Sequence, residues 1–402
     1  MKYIILFFIS ICPVILFGQS KWVKISSLSG DIEMPNGGNQ QTCCTVADFN
    51  KDGIADFVIG ERSKSPSMVA YIRTKKGWDK YIIDDQLRTP EAGICSLDIN
   101  GDGYPDIVAG GDYQSNQVWW YENPGRNLTP SIPWKRHIIK DWGATKHHDI
   151  MAIDFDRDGK QEIVFWNQGC QTLFFARIPE DPTGKWEVKP VYKYERKEYP
   201  PRAQYKFNDI NEHEGLDQAD IDDDGTLDIV GGATWFKYLG QDRFEAHIID
   251  STYHYSRCAA GQLIKGGKPE VVLVVGDGIG PMLLYTYNKK SGEWKSKTII
   301  DKVTNGHSLR LIDIDKDGNL DIWFAEMRLD GGNEQSQHCI LYGDGKGNFN
   351  RKEIISIGED LHESKIADVD GDGDLDIIGK GYNLTGGNLN IWLQNGTKRN
   401  KQ

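Results

Sequence analysis

Short apolar runs alternate with loops rich in aspartate and glycine along almost the whole chain. Runs such as ICSLD, DIVAG, LRLID and DIWFA carry many β-branched and aromatic residues, which is typical of strands. Helical periodicity is scarce, and glycine recurs at positions where the chain is expected to turn. The pattern predicts an all-β protein built from many short antiparallel strands.

Six of the loops between these runs share the pattern D-x-D/N-x-D-G-x-x-D/E. Oxygen side chains at positions 1, 3, 5 and 9 can surround a hard cation, and glycine at position 6 permits the sharp turn between them. The alternative is a hairpin turn without metal, in which the converging carboxylates would repel one another. We therefore predict about six structural Ca²⁺ sites with the following ligands: Asp48, Asn50, Asp52 and Asp56; Asp98, Asn100, Asp102 and Asp106; Asp154, Asp156, Asp158 and Glu162; Asp220, Asp222, Asp224 and Asp228; Asp313, Asp315, Asp317 and Asp321; Asp368, Asp370, Asp372 and Asp376.

The spacing of these loops predicts the number of repeats. Their first aspartates are separated by 50, 56, 66, 93 and 55 residues, so the gap between Asp220 and Asp313 spans nearly two repeats. Within it, GQLIKGGKPEVV aligns on Gly267 as a degenerate loop that has lost its metal, with these residues at the ligand positions: Gln262, Ile264, Gly266 and Glu270. Seven repeats of this length predict a seven-bladed β-propeller with four strands in each blade.

The two ends of the chain are expected to close the ring and to direct export. SKWVKISSL near the start resembles the outer strands, whereas NLNIWLQNG near the end looks like a third strand lacking its fourth. The N-terminal strand should therefore complete the last blade, giving one domain over residues 19–400 without an open sheet edge. Residues 1–18 are typical of a secretory signal, which implies a periplasmic or secreted protein, and no later segment is apolar enough to span a bilayer.

The net charge of −12 argues against general nucleic-acid binding, which requires basic surfaces. The acidic loops account for much of this charge, and six bound Ca²⁺ ions would bring the protein close to neutrality. The cysteines are too scattered for a disulfide framework, although a bridge from Cys43 or Cys44 to Cys95 is an open alternative.

Histidines cluster at the expected starts of the inner strands, on the face opposite the acidic loops. His148, His307 and His362 stand six residues before the first loop aspartate, and His147 and His213 stand seven before it. The degenerate repeat places a further group at this level: His254, Tyr255, Ser256 and Arg257. The pattern predicts a ring of imidazoles around the channel mouth, suited to acid–base chemistry. The alternatives are that each histidine caps a strand, or that two or three of them hold an additional metal ion.

Other residues expected on that face combine aromatic rings with charged and amide groups, which suits carbohydrate binding. The candidates for substrate binding on its loops, together with His147 and His254, are Arg62, Tyr113, Asn167, Trp235, Arg328, Lys380 and Tyr382. Within the inner strands, Asp217, Arg310 and Lys365 are charged. They form either a buried ion-pair network or a basic channel floor that binds a carboxylate or sulfate.

The acidic loops resemble FG-GAP/VCBS repeats, which form seven-bladed propellers in integrin α-chains and many exported bacterial proteins. The segments HHD, HEG, YHYSR and HESKIADVDGDGDLDIIGKGYN are further similar to a carbohydrate-active group of propellers. That group includes ulvan lyases, ulvan oligosaccharide dehydratases and the propeller part of aldos-2-ulose dehydratases, all of which perform eliminations on sugars.

This resemblance implies a monomeric lyase or dehydratase that acts on anionic, uronic-acid-containing oligo- or polysaccharides such as ulvan, sulfated or not, and forms an unsaturated uronate. In the lyases a histidine and a tyrosine act as base and acid, and an arginine neutralises the uronate carboxylate. The catalytic set expected here is His148, His213, Tyr255, Arg257, His307 and His362. The alternative is a non-catalytic, calcium-stabilised propeller that binds glycans or serves adhesion.

Overall fold

The computed structural model describes residues 22–195, 212–253, 255–382 and 387–394, and its architecture is a ring of seven four-stranded antiparallel sheets. The predicted all-β, seven-bladed propeller is confirmed. The predicted signal at 1–18, the segment 196–211 before the fourth inner strand, and His254 lie outside the described residues.

In blades 1 to 6 the strands follow one another outward from the central axis in their order along the chain. Blades 1 and 2 contain β2 (Gln41–Ala47), β3 (Asp56–Glu61), β4 (Met68–Thr74) and β5 (Gly77–Asp84), then β6 (Cys95–Leu97), β7 (Asp106–Gly110), β8 (Val118–Glu122) and β9 (Lys135–Lys140). Blades 3 and 4 contain β10 (His147–Ile153), β11 (Glu162–Asn167), β12 (Thr172–Arg177) and β13 (Val188–Lys193), then β14 (Leu216–Ala219), β15 (Asp228–Gly231), β16 (Thr234–Tyr238) and β17 (Phe244–Ile248). Blades 5 and 6 contain β18 (Ser256–Gly261), β19 (Glu270–Val275), β20 (Ile279–Asn288) and β21 (Glu293–Thr304), then β22 (Ser308–Ile312), β23 (Asp321–Ala325), β24 (Gln337–Tyr342) and β25 (Arg351–Ile357).

The seventh blade joins the two ends of the chain. It contains β26 (Lys365–Ala367), β27 (Asp376–Lys380), β28 (Leu389–Gln394) and, outermost, β1 (Trp22–Ser26). β1 pairs antiparallel with β28 from Trp22 opposite Gln394 to Ser26 opposite Asn390, as the sequence predicts. Short 3₁₀ turns occur at Gly125–Asn127, Gln168–Cys170 and Leu329–Gly331, and the described residues contain no helix with the length and hydrophobicity that a membrane crossing requires.

Large aromatic side chains fill the spaces between neighbouring blades. Trp119, Trp166, Trp235 and Trp323 are essentially inaccessible to solvent, and each belongs to a cluster of apolar residues from adjacent sheets. The six cysteines of the described chain are free thiols, so the bridge considered between Cys43 or Cys44 and Cys95 is not formed.

The acidic loops join the inner strand of a blade to its second strand, and we call this side of the ring the loop face. The loop glycine donates its N–H to the first aspartate, as in the 2.8 Å bond from Gly53 to Asp48. The ninth-position carboxylate begins the second strand, and Asp106 accepts N–H groups from Ile99 at 2.9 Å and Asn123 at 2.8 Å. The loops are therefore closed largely by their own atoms.

Several loops also touch the loop of the next blade through a basic residue at position 4. Lys316 Nζ lies 2.9 Å from Asp374 and donates to the carbonyl of Gly373, and a β-carbon at Gly225 would lie 2.9 Å from the guanidinium of Arg157. Glycine at position 6 is thus needed both for its left-handed backbone and for the space that the incoming cation takes.

Candidate functional site

Four side chains at one level of the inner strands meet around the axis, on the side opposite the loop face. His148, Glu214, His307 and His362 each stand six residues before the first aspartate of their loop, and each is buried. They line a cavity of about 240 Å³ that we call the axial pocket. Its other lining residues are Arg62, Glu91, Tyr113, Lys146, Glu212, Asp277, Leu329 and Tyr382.

His148 is held between two carboxylates. Its Nδ1 lies 2.6 Å from Oδ2 of Asp149, and its Nε2 lies 3.6 Å from Oε1 of Glu214. Burial alone would lower the pKa of His148, but the charges of Glu214 and Asp149 outweigh burial and raise the pKa to about 9. This imidazole is therefore protonated at neutral pH and can act as an acid.

Glu214 and Asp277 are the acidic groups of the pocket with the most perturbed ionisation. Loss of water raises the pKa of both carboxyl groups, and the charge of His148 only partly offsets this effect. Nε2 of His307 lies 3.6 Å from Glu214 and 3.9 Å from Asp277. Among the described residues, Oε2 of Glu214, Oδ1 of Asp277 and Nδ1 of His307 have no hydrogen-bond partner. Such a concentration of unsatisfied polar atoms is typical of a place where a ligand, ion or water binds.

A stack of rings forms one wall of the pocket. His307 and His362 lie face to face with their centroids 4.1 Å apart, and His362 stacks on Tyr382 at 4.6 Å. Burial, together with nearby positive charges, lowers the pKa of both imidazoles well below the usual value, so both are neutral. Lys380 Nζ lies 3.3 Å from Nδ1 of His362 and donates to Gln41 from beneath this wall.

Arg62 and Lys146 are paired with carboxylates at the rim of the pocket. Arg62 lies 3.2 Å from Glu91, donates to the hydroxyl of Tyr382 and passes over the ring of the exposed Tyr113. Lys146 forms an ion pair with Glu212. The rim therefore offers two positive groups beside an exposed aromatic ring.

Arg257 lies below the pocket rather than in it. Its guanidinium is 2.9 Å from Asp149 and contacts Glu363, and both carboxylates stand in left-handed backbone conformations with φ of +45° and +46°. Asp149 is also the extra residue of a β-bulge between His148 and Ile150. Asp149 and Glu363 therefore form an ion-paired layer with Arg257 under the imidazoles. Strained backbone conformations and β-bulges of this kind are common at functional sites.

The histidines seven residues before the loops turn away from the axis. His147 accepts hydrogen bonds from Lys140 at 3.0 Å and Asn167 at 2.9 Å, and burial lowers its pKa to about 3. His213 is buried against Trp166 and Tyr194 with ring centroids 5.1 and 3.8 Å apart. Tyr255 also falls outside the lining of the axial pocket. The sequence pattern placed both positions at the channel mouth. In blades 3 and 4 the residue at minus six faces the axis and the residue at minus seven turns away, whereas in blade 2 the residue at minus seven, Glu91, lines the pocket.

Several predicted substrate-binding residues are likewise corrected. Trp235 is fully buried and stacks on His247, and Asn167 is buried, with its side-chain amide bonded to Ala144 and His147. Arg328 packs against Gly332 and Gly358 outside the pocket, while Arg310 and Lys365 line the channel below it. Arg62, Tyr113 and Tyr382 do reach the pocket.

Sequence reasoning missed part of the pocket. Glu214 occupies the same position as His148 in its own repeat, so the count of six residues would have identified it. Lys146 and Glu212 come from segments that lead into inner strands, where no local motif marks them. Glu91 stands seven residues before its loop, as His147 and His213 do, and Asp277 lies in the turn between β19 and β20.

Acidic groups that could hold metal ions are present on the loop face. In four loops three carboxylates approach within 4.8 Å: Asp154, Asp156 and Glu162; Asp220, Asp222 and Asp228; Asp313, Asp315 and Asp321; Asp368, Asp370 and Asp376. Such oxygen-rich sets fit a hard cation such as Ca²⁺. In the third and fourth loops, however, Arg177 and Lys237 contact the same carboxylates and would compete with a cation.

The axial pocket contains one mixed set of possible metal ligands. Single atoms of His148, Glu214 and His307 lie within 4.8 Å of one another, and all three residues are buried. Two imidazoles and a carboxylate fit a transition metal such as Zn²⁺ better than Ca²⁺.

Comparisons with known proteins support the fold. BBS1N, solved in complex with ARL6DN and soaked with lead, is 11% identical with a TM-score of 0.57, covering 94% of this chain and 99% of that chain. The BP39L lectin from Burkholderia pseudomallei is 12% identical with a TM-score of 0.55, covering 89% and 96%. The exotype rhamnogalacturonan lyase YesX is 12% identical, covering 94% and 76%, but its TM-score of 0.44 carries no argument.

At such low identity these similarities concern the fold alone, and no curated protein sequence matches the chain. Residues 98–165, from the second acidic loop into β11, match the family model of the FG-GAP-like repeat. The chain is therefore a seven-bladed β-propeller, and residues 98–165 of it match an FG-GAP-like repeat.

Proposed function

We propose that the protein is a carbohydrate-active carbon–oxygen lyase, either a polysaccharide lyase or an oligosaccharide dehydratase, that forms an unsaturated uronate. The observation that carries the proposal is the convergence of unsatisfied polar atoms from Glu214, Asp277 and His307 beside the protonated His148 in one small pocket. A protein that only binds sugars has little need for acid and base groups with such perturbed pKa values. Export, as the leader predicts, would bring the protein to extracellular polysaccharides.

The proposed reaction needs one base and one acid. Glu214, whose pKa burial raises toward neutrality, removes the proton from C5 of the uronate. The electron pair of the C5–H bond becomes the C4=C5 double bond, and the C4–O bond breaks. His148 donates its proton to the departing oxygen. The leaving group is a sugar hydroxyl if the enzyme is a lyase and water if it is a dehydratase.

The substrate carboxylate must be neutralised so that the enolate-like intermediate is tolerable. Arg257 is the candidate from sequence, but Asp149 and Glu363 already occupy its guanidinium. Arg62 and Lys146 at the rim are better placed, because they reach the cavity itself. The exposed Tyr113 beside Arg62 offers a face on which a sugar ring can stack.

The size of the axial pocket favours chain ends or short oligosaccharides. About 240 Å³ lies below the usual range for sites that enclose drug-sized ligands, so one sugar unit is the natural occupant. If His148, Glu214 and His307 instead hold a metal ion, that ion would supply Lewis-acid activation. Asp277 would then be the pocket carboxyl group available to move a proton, because Glu91 and Glu212 are paired with Arg62 and Lys146.

The test is incubation of the purified chain with uronate-containing poly- and oligosaccharides while following the ultraviolet absorbance of the new double bond. We expect Glu214→Gln and His148→Gln to lower the rate by about 10²-fold or more. His247→Gln, on an outer strand away from the pocket, is the matched control and should retain full activity. Binding without turnover on every uronate tested would refute the proposal and favour a glycan-binding propeller. Activity that disappears with a chelator and returns with Zn²⁺ would favour the metal variant.

A further inference from the structure

A second cavity of about 450 Å³ runs along the axis beneath the axial pocket, and we call it the axial channel. No residue lines both cavities, because the ion-paired layer of Asp149, Arg257 and Glu363 lies between them. Gln161, in the third acidic loop, also lines the channel, so the channel opens toward the loop face. A ligand in the channel would therefore be distinct from a substrate in the pocket.

The charges of the upper layer are satisfied within the protein. Arg257 is shared by Asp149 and Glu363, and the second oxygen of Glu363 accepts from Lys365 at 3.0 Å. Asp149 further accepts the N–H of Gly215 at 2.8 Å. This layer has no charge left over for a ligand.

Two residues further along the inner strands, toward the loop face, positive groups are not fully paired with carboxylates. Asp217, Arg310 and Lys365 each stand three residues before a loop and line the channel at one level. Asp217 uses its oxygens to accept N–H groups from Gln218 and Ala260 at 3.0 and 2.9 Å. Arg310 donates to the carbonyl of Leu309 at 3.1 Å, and in the described parts of the chain no carboxylate lies within 4.0 Å of it.

Arg310 and Lys365 belong to neighbouring blades and repel each other across a polar cavity, although the charge of Asp217 attracts both groups and Lys365 is also paired with Glu363. Burial and the charge of Arg310 lower the pKa of Lys365 to about 7. An anion between the two groups would relieve this repulsion and use the free donors of the guanidinium, whose planar fork matches an oxyanion. Thr45 and Ser96 also line the channel, but the Thr45 hydroxyl donates to Ser96 and the Ser96 hydroxyl donates to the carbonyl of Val46, each at 3.3 Å.

We propose that the axial channel binds an oxyanion of the sulfate or carboxylate class through Arg310 and Lys365, independently of the reaction in the axial pocket. The channel is larger than one ion requires, so the oxyanion can be free sulfate or the sulfate group of a saccharide. The proposal does not depend on the lyase assignment.

The test is titration calorimetry of the calcium-loaded chain with sodium sulfate at constant ionic strength, and separately with a sulfated monosaccharide and its unsulfated parent. We expect saturable one-to-one binding that Arg310→Met and Lys365→Met each weaken at least tenfold. Arg136→Met, on an outer strand, should bind as the wild type does, and so should Glu214→Gln. Tighter binding of the sulfated sugar than of sulfate would identify a saccharide as the ligand, and equal binding would identify the free ion.

Thermal unfolding of each variant distinguishes lost binding from lost folding. Two substitutions at different blades are included so that a folded variant remains if one of them fails. The proposal is overturned if the wild type shows no saturable binding, or if a folded Arg310→Met or Lys365→Met variant binds sulfate as tightly as the wild type.

Discussion

On the loop face six of the seven blades present the same acidic loop, whereas the equivalent inward positions of the opposite face hold five residue types in seven blades. The loop contacts are local: Gly103 bonds to Asp98 and Gly373 to Asp368, each five residues away. The pocket contacts are distant, as between Arg62 and Tyr382, 320 residues apart. The repeated loops thus form the scaffold, whereas the positions that differ from blade to blade form the pocket.

This difference explains why the fold could be predicted so fully from the sequence. A loop closed by its own atoms leaves a motif that can be read directly, and the spacing of six such motifs is enough to predict seven blades. Even the degenerate loop keeps one of these bonds, since Glu270 accepts the N–H of Leu263 as Asp106 accepts that of Ile99.

The largest expected effect tests whether the loop face is a metal-dependent scaffold. Removing Ca²⁺ with a chelator should lower the melting temperature strongly, because a site at a hundredfold excess of ligand over its Kd contributes about 2.7 kcal/mol and several sites act together. Calorimetric melting with and without chelator measures this shift.

Adding Ca²⁺ back should restore the melting temperature, whereas Mg²⁺ should restore it poorly, because Mg²⁺ demands tighter octahedral geometry. An unchanged melting temperature in chelator would mean that the loops are stable turns without metal. If the melting temperature falls by less than the loss of six Ca²⁺ sites would cause, Arg177 and Lys237 take the place of Ca²⁺ in two of the loops.

The next effect separates folding from metal binding within one loop. Asp106 is fully buried and accepts two backbone N–H groups, so Asp106→Ala should lower the free energy of unfolding by about 2–5 kcal/mol even in chelator. Asp102→Asn changes an exposed residue of the same loop and should cost little without Ca²⁺. Urea unfolding in chelator measures both variants. Equal losses would contradict a structural role for the ninth position.

The pocket could be predicted only in part, and adjacent residues show why. His147 and His148 stand side by side, yet one turns between blades 2 and 3 and the other faces the axis, because the bulge at Asp149 and the strand register decide between them. Counting residues back from the loop does not reveal which of two adjacent histidines faces the axis. The sequence also placed Arg257 at the substrate. Its two carboxylate partners, Asp149 and Glu363, lie on other blades, so the sequence around Arg257 does not reveal that its guanidinium is already paired.

The smallest effect contrasts a histidine of the blades with the histidines of the pocket. His338 is buried and accepts a hydrogen bond from Trp323 at 2.8 Å, and its other nitrogen lies 3.3 Å from Ser356, whereas Nδ1 of His307 has no partner among the described residues. Burial lowers the pKa of His338 to about 3, compared with about 6.5 when unfolded. The unfolded chain therefore binds a proton that the native chain does not, and stability falls as the pH drops from about 6.5 toward 3.

At pH 5 this proton should cost the wild type about 2 kcal/mol relative to pH 7. In His338→Gln the side-chain amide can still accept the hydrogen bond from Trp323 but cannot take up a proton. The variant should therefore lose about 2 kcal/mol less stability than the wild type between pH 7 and pH 5. Urea unfolding at pH 7 and pH 5 measures the difference between the two proteins, in which the shared titration of the carboxylates cancels. If wild type and variant lose the same stability, His338 is protonated inside the blades at little cost.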